Sequence, residues 1–184
     1  DGLVPPSCVK LLGTSFALIG AEFQQIRGTT LPRSGGLRRV LVFLGGSDGT
    51  NETAKVLHAF GLMEPNDIAL DVVVGPANVH REEIERLASR LPRCRCHVNL
   101  PSLAPLMAEA DLAVGAGGST MWERCCAGLP TLAITVADNQ IRLTEALARS
   151  GFIIYAGASS LVTEQSLRRD LEFHRALVRL SGNR

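Results

Sequence analysis

Asp111-Leu-Ala-Val-Gly-Ala-Gly-Gly-Ser-Thr-Met-Trp-Glu-Arg-Cys-Cys-Ala-Gly-Leu-Pro130 reads as a complete strand–turn–helix–turn unit. Leu112 to Val114 are apolar and suit a buried strand, Gly115, Gly117 and Gly118 break into a turn, and Ser119 or Thr120 opens a helix. A second strand is expected after Gly128-Leu-Pro130. A glycine turn feeding a helix start leaves backbone N–H groups pointing outward with the positive end of the helix dipole behind them, a setting that suits a diphosphate. Glu123, one turn into the helix, is placed to accept hydrogen bonds from vicinal hydroxyls such as those of a ribose. The pattern therefore points to a nucleotide or nucleotide-sugar site. A ligand-free βαβ unit needs the same tight turn and cap, so the turn alone leaves both readings open. Neither Gly-x-Gly-x-x-Gly nor a Gly-Lys-Ser/Thr phosphate loop is present here, which disfavours those two nucleotide-binding classes.

Working outward, Arg39-Val-Leu-Val-Phe-Leu44 is a continuous apolar run, as expected of a strand covered on both faces. A second glycine turn, Gly45 to Asn51, follows it, and then a helix over about 52–62. The alternation continues with strands at 71–75, 94–100, 112–114, 131–135 and 152–155. Helices are expected at 81–91, 103–109, after Ser119, at 140–149 and from Thr163 onward. Strict alternation predicts an α/β fold, a Rossmann-like doubly wound parallel sheet. In such sheets ligands bind outside the carboxyl ends of the strands, where strand order reverses. Gly45–Gly49, Gly115–Ser119 and Ala137-Asp-Asn-Gln140 all fall at carboxyl ends, so three polar loops converge on one edge.

Residues 1–36 differ from this pattern. Their 29–36 stretch has linker composition, and the segment reads as the end of a preceding domain plus a connector into the domain at 37–184. A net charge of +1 without a basic tract argues against a nucleic-acid surface, and no apolar run approaches the roughly 20 residues of a membrane helix. The five cysteines lack zinc-ligand spacing, so neither a metal nor any other cofactor is expected; they read as small buried residues in a reducing cytoplasm. His58, His80, His97 and His174 fall outside the three loops, and no residue of this chain is expected to be catalytic.

Several segments, taken in order, carry a family resemblance: Leu12-Gly13, Phe16-Ala-Leu-Ile19, Glu22-Phe23, Phe43-Leu-Gly-Gly-Ser-Asp48, the run from Met107 to Glu123, and Asp138-Asn-Gln140. Together they resemble the UDP-2,4-diacetamido-2,4,6-trideoxy-β-L-altropyranose hydrolases of pseudaminic acid biosynthesis (PseG). The resemblance implies the C-terminal half of a GT-B two-domain architecture, like that of MurG. It implies that this half holds UDP while a missing N-terminal domain brings the catalytic histidine and most contacts to the sugar. Carried over, Gly117, Gly118, Ser119 and Thr120 would face the diphosphate, Glu123 the ribose, and Asn139 and Gln140 the sugar and phosphates. Backbone groups around Leu103 would meet the uracil edge, and Gly45, Gly46 and Ser47 would line the interdomain cleft. Thr14-Ser15, Gly20-Ala21 and Gly49 depart from the family's usual residues, and the chain stops short of a closing helix. Two other functions use the same pocket: the donor half of a GT-B glycosyltransferase, and a non-catalytic donor-binding subunit that needs a partner chain.

Overall fold

The computed structural model describes residues 3–11, 13–29, 33, 36–64 and 67–181. Among these, six strands form one sheet: β1 (Arg39–Phe43), β2 (Ala69–Val74), β3 (Cys94–Val98), β4 (Leu112–Ala116), β5 (Thr131–Thr135) and β6 (Ile154–Ala158). Their spatial order is β3-β2-β1-β4-β5-β6, and every neighbouring pair is parallel. Among the described residues the seven α-helices are α1 (Ala21–Thr29), α2 (Glu52–Gly61), α3 (Arg81–Ala88), α4 (Ala104–Glu109), α5 (Thr120–Cys126), α6 (Asp138–Arg149) and α7 (Glu164–Ser181). The expected Rossmann-like α/β sheet is the observed one. Strand order reverses between β1 and β4, so the switch point lies between the two glycine turns singled out in the sequence.

The period-2 geometry of a strand explains why both faces are apolar. Val40, Val42, Leu70, Val72, Leu112, Val114, Leu132 and Ile134 point to one side, under α2, α3 and α7. The alternate residues Leu41, Val73 and Ala113 point to the other side, under α1, α4 and α5, while Ala133 packs with Met121 of α5 and Leu147 of α6. Interleaved positions therefore feed opposite cores, and a continuous hydrophobic run is the sequence signature.

Element ends moved where pairing overrode local pattern. β2 begins at Ala69, two residues before the expected start, because Ala69 and Leu70 pair with Arg39 and Val40. β6 is displaced from 152–155 to Ile154–Ala158. Its register against β5 shifts at Ala133/Ile134, while Phe152 stays 66% exposed. β4 runs on through Gly115 to Ala116. α3 ends at Ala88, and α6 starts at Asp138, so Asn139 and Gln140 lie in its first turn instead of in the preceding loop.

Within residues 1–36, α1 packs against α4 and α5, with Phe23 3% exposed among Leu41, Val73, Leu103 and Met107. Leu12, residues 30–32 and 34–35, and both chain ends lie outside the described residues. Arg33 donates to the carbonyls of Met107 (2.8 Å) and Ala110 (2.8 Å), and to those of Ala127 (3.1 Å) and Gly128 (2.8 Å). These carbonyls close α4 and α5, where the helix dipole is negative and a cation is favoured. Among the described residues, no helix is long and apolar enough to cross a membrane.

Candidate functional site

Both glycine turns open on one cavity of about 490 Å³ at the carboxyl edge of the sheet, astride the switch point. From the β1 side, Gly45, Gly46, Ser47, Asp48, Gly49 and Thr50 line it. Ala116, Gly118, Ser119 and Thr120 line it from β4–α5, and Val136, Ala137 and Gln140 from β5–α6. The three loops expected to converge do so. Of the candidate residues, Gly45, Gly46, Ser47, Gly118, Ser119, Thr120 and Gln140 meet in this cavity; Gly117, Leu103, Glu123 and Asn139 are not in its lining.

The three helix starts at the cavity are not equivalent. Asp48 is buried (4% exposed), and its carboxylate accepts from the N–H groups of Glu52 and Thr53, both at 2.9 Å. This cap, three residues before the left-handed corner at Asn51, satisfies the start of α2 from within the protein. α5 and α6 have no side-chain cap. The Met121 N–H reaches Gly118 O at 3.0 Å and the Trp122 N–H reaches Ser119 O at 3.1 Å. The N–H groups of Gly118, Ser119 and Thr120 stand ahead of these bonds, at the cavity wall.

Two glycines, Gly115 near the end of β4 and Gly117 in the turn that follows, are in close approach to neighbouring side chains. A Cβ on Gly117 would lie 2.5 Å from Thr144 Oγ1 of α6, and the Gly117 N–H is already bonded to Ile134 O at 3.1 Å. Gly117 thus locks the turn against β5 and α6. A Cβ on Gly115 would lie 2.3 Å from Nη1 of Arg124. Arg124 is the residue the sequence reading missed. Helical side chains lean toward the N-terminus, and its guanidinium folds back under the turn, 1% exposed. Nη2 donates to Ala116 O at 2.6 Å and Nη1 to Thr120 Oγ1 at 3.2 Å, while Nε is buried without a partner. Burial lowers its pKa to about 10, which leaves it cationic at neutral pH. Its i,i+4 spacing from Thr120 was visible in the chain, but nothing in the spacing signalled that it is buried.

Gln140 connects the second and third loops. Its Oε1 accepts from the Val136 N–H at 3.0 Å, and its Nε2 lies on the Gly118 side of the cavity. Asn139 is exposed beside it. His80, read in the sequence as lying apart from the loops, places Nε2 3.4 Å from Gly49 O, at the rim of the first loop. His97 lies elsewhere, 2.7 Å from the buried Asp71.

Leu103 and Glu123 are both placed next to α1. Leu103 caps α4 and is 9% exposed within the core that contains Phe23. Neighbouring Ser102 donates to Glu22 of α1 at 3.4 Å. Burial raises the pKa of the Glu123 carboxyl; Arg124 opposes the shift, and Glu22 adds to it. Glu22, Ser102 and Glu123 thus form a polar patch on the α1 side of the β4–α5 unit, distinct from the cavity lining.

No protein-family model matches the chain. It is 30% identical over 157 residues to the spore coat polysaccharide biosynthesis protein SpsG of Bacillus subtilis, across 84% of this chain and 46% of that protein. The chain spans less than half the length of the curated relatives it matches. Among solved structures it resembles MurG of Acinetobacter baumannii, with a TM-score of 0.59 and 16% identity over 100% of this chain and 54% of MurG. It also resembles the spinosyn rhamnosyltransferase SpnG, solved with thymidine diphosphate, with a TM-score of 0.57 and 23% identity over 82% of this chain and 38% of that one. These likenesses place the sheet among the C-terminal domains of GT-B glycosyltransferases in fold.

Proposed function

We propose that this chain is the UDP-binding half of a nucleotide-sugar hydrolase, releasing UDP from UDP-2,4-diacetamido-2,4,6-trideoxy-β-L-altropyranose in a pathway of the pseudaminic acid type. One observation carries the nucleotide part: two glycine turns from opposite sides of the switch point, together with Gln140 from the third loop, line a single cavity of about 490 Å³. In this reading Gly118, Ser119 and Thr120 donate to the diphosphate, while Gly117 holds their turn in place. Gly45, Gly46 and Ser47 form the opposite wall. Gln140, with Asn139 outside it, lies toward the sugar and phosphates. Glu123 accepts from the ribose hydroxyls, and backbone groups at Leu103 meet the uracil edge. The other half of the enzyme would supply the catalytic histidine, with water attacking the anomeric carbon and the C–O bond breaking. The five free cysteines suit a reducing cytoplasm.

The hydrolytic part rests on the motif resemblance, the binding part on the cavity. A donor half of a glycosyltransferase would use the same cavity, and the 30% identity to a polysaccharide biosynthesis protein keeps that second reading open. Calorimetric titration of the chain with UDP, UMP and ADP tests the binding part. Saturable UDP binding, weaker for UMP and absent for ADP, is expected; a folded sample that ignores UDP refutes it. Incubating the full-length protein with the UDP-sugar separates the chemistries. Free sugar and UDP without any acceptor supports hydrolysis, and turnover only when an acceptor is added supports transfer.

A further inference from the structure

Arg124 is a buried cation that forms no ion pair among the described residues. Its polar neighbours are one carbonyl, one hydroxyl and the Met121 sulfur, and Nε has no partner. A buried charge of this kind is costly unless something compensates it. The two oxygens it holds, Ala116 O and Thr120 Oγ1, belong to residues that line the cavity, so the positive charge lies directly behind the cavity wall. The Thr120 hydroxyl accepts from the guanidinium, so its own proton must be donated elsewhere. The usual acceptor for a helical threonine is the carbonyl four residues earlier. Here that residue is Ala116, which belongs to β4 and whose carbonyl faces Arg124 at 2.6 Å, and among the described residues Thr120 Oγ1 donates to no protein acceptor.

We infer that Arg124 is the positioning cation of this cavity: it turns the Thr120 hydroxyl proton toward the ligand and makes the site selective for a diphosphate over less charged ligands. A hydroxyl that accepts from a cation is a stronger donor in turn, and the charge behind it favours an anion with more than one negative oxygen. Gly115 is part of the device, since a side chain there would displace the guanidinium. This inference rests on reading the cavity as a diphosphate site, and its test keeps the two apart by including a probe with no nucleoside.

The experiment is calorimetric titration of the chain with UDP, uridine and inorganic pyrophosphate, comparing wild type with Thr120→Val, Thr120→Ser and Arg124→Met. Thermal melts establish that each variant folds. Thr120→Val should weaken UDP and pyrophosphate by about tenfold, leave uridine unchanged, and be rescued by Thr120→Ser. Arg124→Met should cause the same selective loss, and the double variant should lose less than the product of the two single losses. If Arg124→Met does not fold, the Thr120→Val and Thr120→Ser pair decides. Wild-type affinity for UDP and pyrophosphate in Thr120→Val, or an equal loss for uridine, overturns the inference and leaves the nucleotide reading intact. Pyrophosphate bound with these sensitivities but UDP ignored would support the inference and sink the nucleotide reading. No binding of either by wild type overturns both.

Discussion

Two arginines occupy the two ends of α5, and their surroundings are opposite. Arg33, between α1 and β1 in the chain, donates to four carbonyls at 2.8–3.1 Å around the closing turns of α4 and α5. There the dipole is negative, so the cation stabilises both helices. Arg124 folds back to the opening turn, where the dipole is positive, and finds one carbonyl and one hydroxyl. Its position works against the local field. A third buried charge shows that this protein does pair charges elsewhere: Asp71, 3% exposed, has Arg39 at 2.8 Å and His97 at 2.7 Å. Arg124 lies at the carboxyl edge, behind the cavity, with no carboxylate partner among the described residues, whereas Asp71 is paired from two sides. Departures from local electrostatic consistency concentrate at functional sites, and this contrast between the arginines draws attention to the β4–α5 turn.

The contrast can be broken most severely at Arg33. Arg33→Ala removes four charge-assisted bonds and should cost about 3 kcal/mol of stability in urea denaturation, while leaving nucleotide affinity unchanged. A loss of affinity without loss of stability would reverse the roles assigned to the two arginines. Next in size is Glu123→Ala, expected to weaken UDP by roughly 1.5–3 kcal/mol, the scale of a lost charged hydrogen bond. Wild-type affinity in calorimetry would remove the ribose role. Gly115→Ala forces a methyl group onto the guanidinium and should destabilise by about 1–2 kcal/mol, as overpacking does. It should also reduce pyrophosphate affinity; a well-folded variant with full affinity would show that the arginine's placement is not essential.

The smallest effect is a pH dependence. Burial, with Glu22 nearby, holds the Glu123 carboxyl above its ordinary 4.5. The native state therefore binds this proton more tightly than the unfolded chain does. The resulting stability is complete below the unfolded pKa and is lost as pH rises through the elevated native value. Glu123→Gln should flatten the slope of melting temperature on the alkaline side of the ordinary carboxylate value of 4.5, and should slightly raise the melting temperature once that carboxyl is ionised. An unchanged slope would show that the carboxyl is solvated in the native state.

The strands were legible because a two-sided parallel sheet demands continuous apolar runs, and Val40–Leu44, Val72–Val74 and Leu132–Ile134 supply them. Their ends were less legible, since Ala69 is a strand residue only by pairing with Arg39, and Ile154–Ala158 only by pairing with β5. Glycine turns at strand ends pointed to the cavity correctly, because turn chemistry is local. Gly117 looked like its neighbours in the sequence. Only its contacts with Thr144 and Ile134 separate a glycine that fits the turn to the sheet from glycines that line the cavity.

By itself, the sequence determined the α/β class, the parallel alternation and the meeting of three polar loops at one edge, because periodicity and turn residues act over a few neighbouring positions. The tertiary structure alone decided the order β3-β2-β1-β4-β5-β6, the packing of α1 against α4 and α5, and the opposite fates of Arg33 and Arg124. Each of these depends on groups far apart in the chain: Arg33 meets carbonyls up to 95 positions away. Whether an arginine stabilises a helix end or charges a cavity wall is set by the field and the oxygens it reaches after folding, and residue identity carries neither.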